Sequence, residues 1–367
     1  MKSASLVDNN PTHITAPLAN YDATHVSELL ESIGQPRYRT TQVLEWIWRK
    51  SIATYDEMTN VPQHIREALA HQLPLLRPQI IERQVSRDGT RKYLVQFSDD
   101  ACVEVVGLPT AERLTVCAST QIGCAMGCTF CATGHGGLVR NLTAAEIVES
   151  VVLVAQDFER RVSNIVLMGQ GEPFANYDAT LAALRILNAP WGLDIGARHL
   201  TISTAGLLDG IRRFAAEPEQ FTLAVSLHSA RQATRDALMP GLATQPLNAL
   251  RDALIAYYEQ TGRRPSLEYA LIAGQSDTPD EIEALGSFTA AIGAHVNLIP
   301  LNTWEGDADA TTSPAMQPTP SSRATEIATL LRNRYGVEAT LRTRRGADID
   351  AACGQLRQRH AKQSPNI

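Results

Sequence analysis

The sequence lacks any run of about 18 apolar residues, the length that a membrane-spanning helix requires. Its N-terminal segment also lacks the continuous apolar stretch of a secretory signal. A marked excess of either charge is missing too, because 33 Lys and Arg stand against 39 Asp and Glu, giving a net charge of -6. These absences predict a cytoplasmic protein that does not coat nucleic acid over its whole surface, although a local basic patch remains compatible with them.

The composition excludes several other classes of protein. Hydrophobic residues make up 44% and charged residues 20% of the chain, which is ordinary for a globular protein and excludes collagen-like, disordered and coiled-coil chains. A length of 367 residues suggests two units of about 150 residues, or one large α/β domain with additions.

Cysteine is scarce but unevenly placed. Four of the six cysteines fall within 15 residues, while Cys102 and Cys353 stand apart. In a cytosolic chain such crowding indicates metal binding or thiol chemistry, and it argues against a structural disulfide framework.

The N-terminal third divides into three predicted segments. Residues 1–18 are polar and are predicted to be disordered. Apolar residues at helical spacing predict a small helical domain over 19–78, in which tryptophans and basic residues form a possible second RNA-binding surface, unless the tryptophans belong to the core. Alternating apolar runs separated by turn residues predict an antiparallel β extension over 79–110.

Residues 111–304 repeat an apolar strand followed by an amphipathic helix, which predicts an α/β fold with a parallel sheet and right-handed crossovers. Six repeats, against eight in a full barrel, predict an incomplete (β/α)6 barrel with its chemistry at the strand ends. The predicted strands are LTVCAS, NIVLMG, HLTIST, FTLAVSLH, SLEYALIAG and AHVNLIPLN.

Two segments follow the barrel. Residues 305–322 are poor in apolar residues and are predicted to form a loop or lid. Residues 323–367 are predicted to hold a helix, a strand and a tail that carries Cys353. A local excess of basic residues in this last segment indicates either an anion-binding face or a solvated helix surface.

Three cysteines follow the first barrel strand at the spacing C-x3-C-x2-C, as Cys124, Cys128 and Cys131. Three thiolates on one short loop can bind three corners of a cubic iron-sulfur cluster and leave the fourth iron open. A structural zinc site completed by Cys117 or His135 is the alternative, although such sites usually come as paired C-x2-C motifs. The spacing favours the cluster and leaves zinc open.

Small polar residues end the other predicted barrel strands. Each one alone is typical of an ordinary hydrogen-bonding residue at a strand end. Together they surround one barrel mouth, as binding of a ribose and a carboxylate requires. These candidate cofactor-binding residues are Gly171, Glu172, Ser203, Ser226, Leu227, His228 and Asn302.

The cysteine motif resembles the signature of the radical S-adenosylmethionine (SAM) superfamily, whose incomplete barrel matches the predicted fold. The resemblance implies one 4Fe-4S cluster whose open iron is chelated by SAM, and a 5'-deoxyadenosyl radical formed after one-electron reduction. Phe130 stands where the superfamily usually has an aromatic residue beside the adenine, with simple packing as its alternative role. Gly169 to Pro173 resembles the superfamily's Gly-Met-Gly-Glu-Pro element, with Gln170 in place of Met for no reason that the sequence explains.

Further motifs narrow the resemblance to the RlmN/Cfr family of RNA methyltransferases, over residues 20–357. They include Glu104, Cys117, RYRTTQVLEWIW, MTNVP, LVRNLT and DIDAACGQL, which contains Cys353. The resemblance implies methylation of adenine C2 in 23S ribosomal RNA and transfer RNA, with C8 methylation of the Cfr type as the alternative. Pro173 after Gly-Glu favours C2. A zinc-dependent RNA-binding protein without catalysis is the alternative from another class.

The family resemblance also implies a relay of cysteines, because C2 of adenine is electrophilic and cannot accept a methyl group directly from SAM. Cys353 is implied to take a methyl group from one SAM, and the radical from a second SAM activates it for addition to C2. Cys117 then attacks the sulfur of Cys353 and forms a transient disulfide, and Glu104 is the general base. Cys102 matches no family role and is interpreted as a small buried side chain.

The same resemblance implies partners. An RNA base must leave its stack to reach a barrel mouth, and Arg342, Arg344 and Arg345 are candidate phosphate contacts. An electron donor such as flavodoxin or ferredoxin is implied, and the chain is expected to act as a monomer outside the membrane.

Overall fold

The computed structural model describes residues 23–75, 77–302, 316–349 and 354–363. Three predictions fall outside these residues: the disorder of 1–18, most of the loop at 305–322, and the position of Cys353 itself.

The helical N-terminal segment is confirmed. Helix α2 runs directly into a π-helical turn, Glu45–Arg49. Trp48 in this turn is 1% exposed and belongs to the core, whereas Trp46 is half-buried and lies under the Lys50 ammonium, 3.3 Å from the ring centroid. The helices are α1 (Ala23–Ser32), α2 (Tyr38–Leu44) and α3 (Gln63–Gln72).

The antiparallel extension is also confirmed, as β1 (Gln79–Val85), β2 (Arg91–Gln96) and β3 (Cys102–Pro109). Strand β3 pairs with β2 on one side and with β4 (Leu114–Cys117) on the other, both antiparallel. The extension is therefore continuous with the barrel sheet, and residues of β3 lie beside the first barrel strand.

The six predicted barrel strands form a parallel array in sequence order. After β4 these strands are β7 (Asn164–Leu167), β8 (Leu200–Thr204), β9 (Thr222–Ser226), β10 (Ser266–Leu271) and β11 (His295–Pro300). The hairpin β5 (Gln121–Gly123) and β6 (Leu138–Asn141) lies apart from this sheet. The segment that connects its two strands contains the cysteine loop, Cys124 to Cys131.

The C-terminal segment adds to the barrel more closely than the sequence predicts. Strand β12 (Ala339–Leu341) pairs parallel with β11, so it is a seventh parallel strand at the edge of a ten-stranded sheet. Helix α11 (Ser321–Tyr335) begins inside the predicted loop, and α12 (Gln355–Gln363) occupies the predicted tail. In the parts of the chain that the structure describes, no helix has the length and apolarity needed to cross a membrane.

Helices connect the parallel strands and pack against the sheet. Helix α5 begins with a capping box between Thr143 and Glu146, which satisfies the first free N–H groups. The remaining helices are α4 (Ala132–His135), α5 (Ala144–Phe158), α6 (Tyr177–Asn188), α7 (Leu208–Ala215), α8 (Gln232–Leu238), α9 (Leu247–Thr261) and α10 (Pro279–Ile292).

Candidate active site

A cavity of about 240 Å³ opens at the carboxyl ends of the parallel strands. It gathers most of the residues that the sequence assigns to the cluster and to SAM. Those lining it are Cys124, Cys128, Cys131, Gly171, Glu172, Ser203, Ser226 and His228, together with Phe130. A larger crevice of about 410 Å³ beside Trp48 contains no cysteine and no strand end, so the chemistry points to the smaller cavity.

Two predicted SAM contacts are placed differently. Leu227 is fully buried, and its N–H donates to the Glu268 carbonyl at 3.0 Å. Asn302 is exposed just beyond β11. Neither residue lines the cavity, so their contacts with SAM stay predictions.

The cysteine loop is held from two sides. The N–H of Cys124 donates to the Gly137 carbonyl at 2.9 Å, which ties the loop to the β5–β6 hairpin. The N–H of Thr129 donates to the Leu238 carbonyl at 3.0 Å, which ties it to the end of α8. Such main-chain anchors fix the loop without using the thiols, which stay available as ligands.

The three thiols suit a cluster better than a single ion. Among the described residues, no three His, Cys, Asp or Glu side chains converge on a point where one metal ion could be held. His135 places Nδ1 2.9 Å from the Cys131 carbonyl. Three thiols that line one cavity without meeting at a single point fit a cubic cluster, in which each would bind a separate iron. The donor set therefore disfavours the closed zinc site.

Burial also sets the protonation of these thiols. Removal from water raises the pKa of Cys124 to about 11 and that of Cys128 to about 12. Both are protonated at neutral pH in the metal-free chain, so the binding of a cluster must release their protons.

The carboxylate of Glu172 is occupied by the protein. Its oxygens accept hydrogen bonds from Phe174 N (2.9 Å), Thr204 Oγ1 (2.6 Å) and Ala205 N (2.6 Å). Burial raises the pKa of this carboxyl, and these three donors oppose the rise. Glu172 thus joins the loops that follow β7 and β8. Its own N–H donates to Gln121 Oε1 at 2.8 Å and its carbonyl accepts from the Ala175 N–H at 3.1 Å, so Gly171, which lines the cavity, is the part of the Gly-Glu-Pro main chain placed to meet a ligand.

His228 is held as a neutral ring at the cavity wall. Its Nδ1 accepts from the Ala270 N–H at 3.0 Å, so the ring proton is assigned to Nε2. Phe130 meets the ring edge to face, with centroids 4.7 Å apart. Burial, assisted by the charge of Arg235, lowers the pKa of His228 to about 3. The wall therefore presents an N–H donor whose charge does not change near neutral pH.

This burial predicts a pH-dependent stability. Below the ordinary histidine pKa of about 6.5, His228 binds a proton in the unfolded state but not in the folded state. The free energy of unfolding therefore decreases as the pH is lowered. Between pH 7 and pH 5, we expect wild type to lose about 2 kcal/mol more than His228→Asn in urea unfolding. Asn tolerates the left-handed backbone at this position (φ 54°).

A variant of the exposed His64, His64→Asn, is the matched control. It should follow wild type between the same two pH values. Equal losses in wild type and His228→Asn would contradict the neutral, buried ring.

Sequence reasoning missed Glu268, which lies on the wall of the same cavity. Its Oε1 accepts from Asn297 Nδ2 at 2.7 Å and from Ser266 Oγ at 3.2 Å, and burial raises the pKa of its carboxyl. A charged residue inside the apolar run SLEYALIAG was the signal that could have found it.

A second group of residues lies on one face of the β extension. Directly opposed residues of an antiparallel pair share a face, and Cys117 of β4 opposes Val106 of β3. Alternate residues of a strand also share a face, so Glu104 and Cys102 lie on the same face as Val106 and Cys117. This face carries α12, whereas Gly107 on the opposite face packs against α5.

Glu104 is buried and binds both a lysine and the C-terminal segment. Its Oε2 lies 2.9 Å from Lys92 Nζ and accepts from the Gly354 N–H at 2.5 Å, while Oε1 accepts from the Arg357 N–H at 2.7 Å. The carboxylate therefore binds the first N–H groups of α12, where helices favour negative charge.

Gly354 fits closely against the helix that follows the cysteine loop. Its φ is +88°, and a Cβ at this position would lie 2.5 Å from the N atom of Thr133 in α4. Only glycine suits such a backbone and such an approach. The residue that follows Cys353 in the chain therefore lies between Glu104 and α4.

The buried pair predicts a large stability effect. Lys92 and Glu104 are 0% and 3% exposed. Replacing Lys92 with Met leaves the carboxylate without its cation and is expected to cost about 3–5 kcal/mol in the free energy of unfolding. Arg87→Met is the control, because Arg87 is 96% exposed and 4.0 Å from Asp348, and its effect should be much smaller. Equal midpoints in chemical denaturation for the two variants would contradict the prediction.

The basic residues of the C-terminal segment have mixed surroundings. Arg342, Arg344 and Arg345 are exposed. Arg345 lies 3.8 Å from Asp88, and Arg359 pairs with Glu82 at 2.9 Å. Part of the predicted excess charge is therefore balanced on the protein surface.

Comparisons with known proteins agree with this geometry. The family model of the radical SAM superfamily matches residues 119–284, and that of the ribosomal RNA large subunit methyltransferase N-terminal domain matches residues 16–74. A crystal structure of a radical SAM methyltransferase from Sphaerobacter thermophilus has a TM-score of 0.84 at 41% identity, over 92% of this chain and 98% of that one.

Curated relatives match nearly the whole chain. A probable dual-specificity RNA methyltransferase RlmN of Symbiobacterium thermophilum is 41% identical over 94% of this chain and 91% of its own. The protein of the same name from Pelotomaculum thermopropionicum is 43% identical over 92% of this chain and 90% of its own. At this identity and coverage, the chain belongs to the RlmN family of radical SAM methyltransferases.

Proposed function

We propose that the protein methylates C2 of adenosine in 23S ribosomal RNA and in transfer RNA, using two SAM molecules per turnover and a methyl group carried on Cys353. One observation supports this most strongly. Glu104 binds the N–H of Gly354, the residue after Cys353, on the face that also carries Cys117. The same glycine packs against the helix after the cluster loop. Gly354 thus contacts both the face of the sheet that carries Cys117 and the helix that follows the cysteine loop.

The cavity supplies the residues that would hold the cofactors. Cys124, Cys128 and Cys131 would bind one 4Fe-4S cluster, and the main chain at Gly171, beside the Glu172 carboxylate, would face the SAM amino group. Ser203, Ser226 and the Nε2–H of His228 provide hydrogen-bonding groups for the rest of SAM. When bound, the cluster and SAM supply an electron and a 5'-deoxyadenosyl radical that removes hydrogen from a methyl group.

The protein's own residues carry the remaining steps. The Cys353 thiolate receives the methyl group and later tethers the base through a methylene. The radical adduct would also lose one electron, which the one-electron donor couple takes back. The Cys117 thiolate then attacks the Cys353 sulfur and forms a disulfide, and the electron pair of the broken C–S bond goes to the methylene carbon, which takes a proton from solvent and becomes the methyl group of the freed base. An external dithiol would reduce the disulfide before the next turnover. Glu104 takes the proton from the adduct. Its Oε2 binds Lys92 and Gly354, and Oε1 accepts from the Arg357 N–H, so the second lone pair of Oε1 would take the proton.

Partners follow from the same chemistry. RNA phosphates would contact the exposed Arg342 and Arg345, and a low-potential donor such as flavodoxin or ferredoxin would reduce the cluster. We propose that the chain works as a monomer in the cytoplasm. Pro173 after Gly-Glu favours C2 over the C8 position of Cfr-type enzymes, and the relatives' name, dual-specificity RNA methyltransferase RlmN, supports two kinds of RNA substrate.

Mass spectrometry of nucleosides tests the proposal directly. After anaerobic turnover with a reductant and unmodified RNA, we expect 2-methyladenosine in both 23S ribosomal RNA and transfer RNA. A product at C8 would overturn the base position, and product in only one RNA would overturn the dual specificity.

The relay makes a separate prediction about the protein itself. Protein purified from cells should carry S-methylcysteine at Cys353 in a fraction of its molecules. The first methyl transfer needs only the Cys353 thiolate and a SAM molecule whose methyl group lies in line for attack. Peptide mass spectrometry measures this, with the Cys102 peptide as an internal control that should be unmodified. Methylation of Cys117 instead would reverse the two roles.

A further inference from the structure

Arg235 is a buried cation directly behind the cysteine loop, and no sequence pattern singles it out. The residue is only 1% exposed. It lies on α8, one helical turn before Leu238, whose carbonyl accepts the Thr129 N–H of the loop. The turn after α8 touches the loop again, because the Gly241 N–H donates to the Met126 carbonyl at 3.0 Å. Arg235 therefore belongs to a segment fixed against the cluster ligands.

The positive charge of Arg235 has little compensation within the protein. Nη2 donates to the Ala205 carbonyl at 2.6 Å, and Nε has no hydrogen-bond partner. No carboxylate of the described residues lies within 4.0 Å of this guanidinium. A buried charge without a counter-ion is costly, so the position calls for a negative group that the protein chain alone does not supply there.

The cluster ligands are the negative groups that this charge faces. The loop that carries Cys128 is bonded to the end of α8, and Ala205, which accepts from Arg235, lines the same cavity as the three thiols. Two carboxylates are also near: Glu172 is linked to Arg235 through the Ala205 peptide, and the half-buried Asp236 accepts from Gln232 Nε2 at 2.7 Å. His228 is neutral, so it leaves the field of Arg235 unopposed.

We propose that Arg235 is a positioning charge that raises the reduction potential of the cluster bound by Cys124, Cys128 and Cys131. Three thiolates on a dicationic cube leave one net negative charge, and accepting an electron adds a second. A fixed buried cation stabilises the reduced form more than the oxidised form, and low local polarity strengthens the effect. The electron comes from the low-potential donor, and no bond at Arg235 changes.

This inference rests on the proposed cluster and is tested on the reconstituted full-length protein without RNA. The midpoint potential is measured by electron paramagnetic resonance in a mediator titration. At the wild-type midpoint, Arg235→Gln should show at least a tenfold lower ratio of reduced to oxidised cluster, equivalent to about 59 mV for one electron. Arg212→Gln is the matched control, because Arg212 is 62% exposed and pairs with Asp209. Its midpoint should equal that of wild type.

Arg235→Lys is the second variant and serves if the glutamine protein loses iron. The lysine keeps the positive charge at this position, so its midpoint should stay at that of wild type, whereas the glutamine variant falls below it. A merely structural arginine would not separate the two variants by charge. A wild-type midpoint in Arg235→Gln, or a lysine midpoint lowered as far as tenfold in the ratio of reduced to oxidised cluster, would overturn the role of Arg235. A wild-type protein without a cluster would overturn the proposed function as well.

Discussion

Cys128→Ala is expected to lose most of its iron and all formation of 5'-deoxyadenosine after anaerobic reconstitution. With one ligand removed, two thiolates hold the cube, and such a cluster is labile. Cys124→Ala and Cys131→Ala should behave alike, because all three thiols line one cavity. Iron and sulfide analysis, followed by chromatography of the nucleoside products with SAM and dithionite, measures both effects.

Two other cysteines provide the matched controls for this loss. Cys117→Ala and Cys102→Ala should retain wild-type iron, because Cys117 ends β4 and Cys102 begins β3, outside the cysteine loop. Unchanged 5'-deoxyadenosine formation in Cys128→Ala would reject the ligand assignment. Iron loss in Cys117→Ala would instead make Cys117 a ligand and reopen the zinc interpretation.

Cys117→Ala is expected to accumulate a covalent adduct between protein and RNA that survives denaturation. After carbon adds to C2, base and protein are joined through a thioether, and this bond persists until a thiol placed beside it attacks the sulfur. Cys353→Ala lacks the tether and should give neither adduct nor methylated base. Glu104→Gln should also stop at the adduct, since the proton must leave before the base is released.

Denaturing gels of each variant with RNA and a reductant distinguish these outcomes. Methylated RNA released by Cys117→Ala would contradict the resolving role of this thiol. An adduct joined through any residue other than Cys353 would contradict the relay. Because Lys92 holds the same carboxylate as the tail, any Glu104 variant also needs a stability measurement, so that unfolding is not mistaken for a chemical defect.

Local patterns predicted the strands and the cysteine loop well, because their signals lie within short stretches of sequence. Alternation and apolar runs predicted the three strands of the extension and the six parallel strands, and the structure confirms both. The addition of β12 to the sheet depends on its pairing with β11, about forty residues earlier. Such long-range pairing leaves no mark in a window of a few residues.

The residues that the sequence missed depend on tertiary placement in the same way. Arg235 looks like an ordinary polar residue of a short helix until α8 is seen against the cluster loop. Glu172 is a predicted cofactor contact, and only the structure shows that its carboxylate also accepts from three donors in two loops. Motif spacing identifies which residues gather, but the direction of each side chain follows from the packing of distant elements.

The raised pKa values of Cys124 and Cys128 bear on thiol exchange before any metal is bound. Only thiolates exchange with disulfides, and a thiol with a pKa of about 11 is ionised in roughly one molecule in ten thousand at pH 7. Burial therefore makes both side chains slow to form mixed disulfides with other thiols, which keeps them reduced and able to act as ligands.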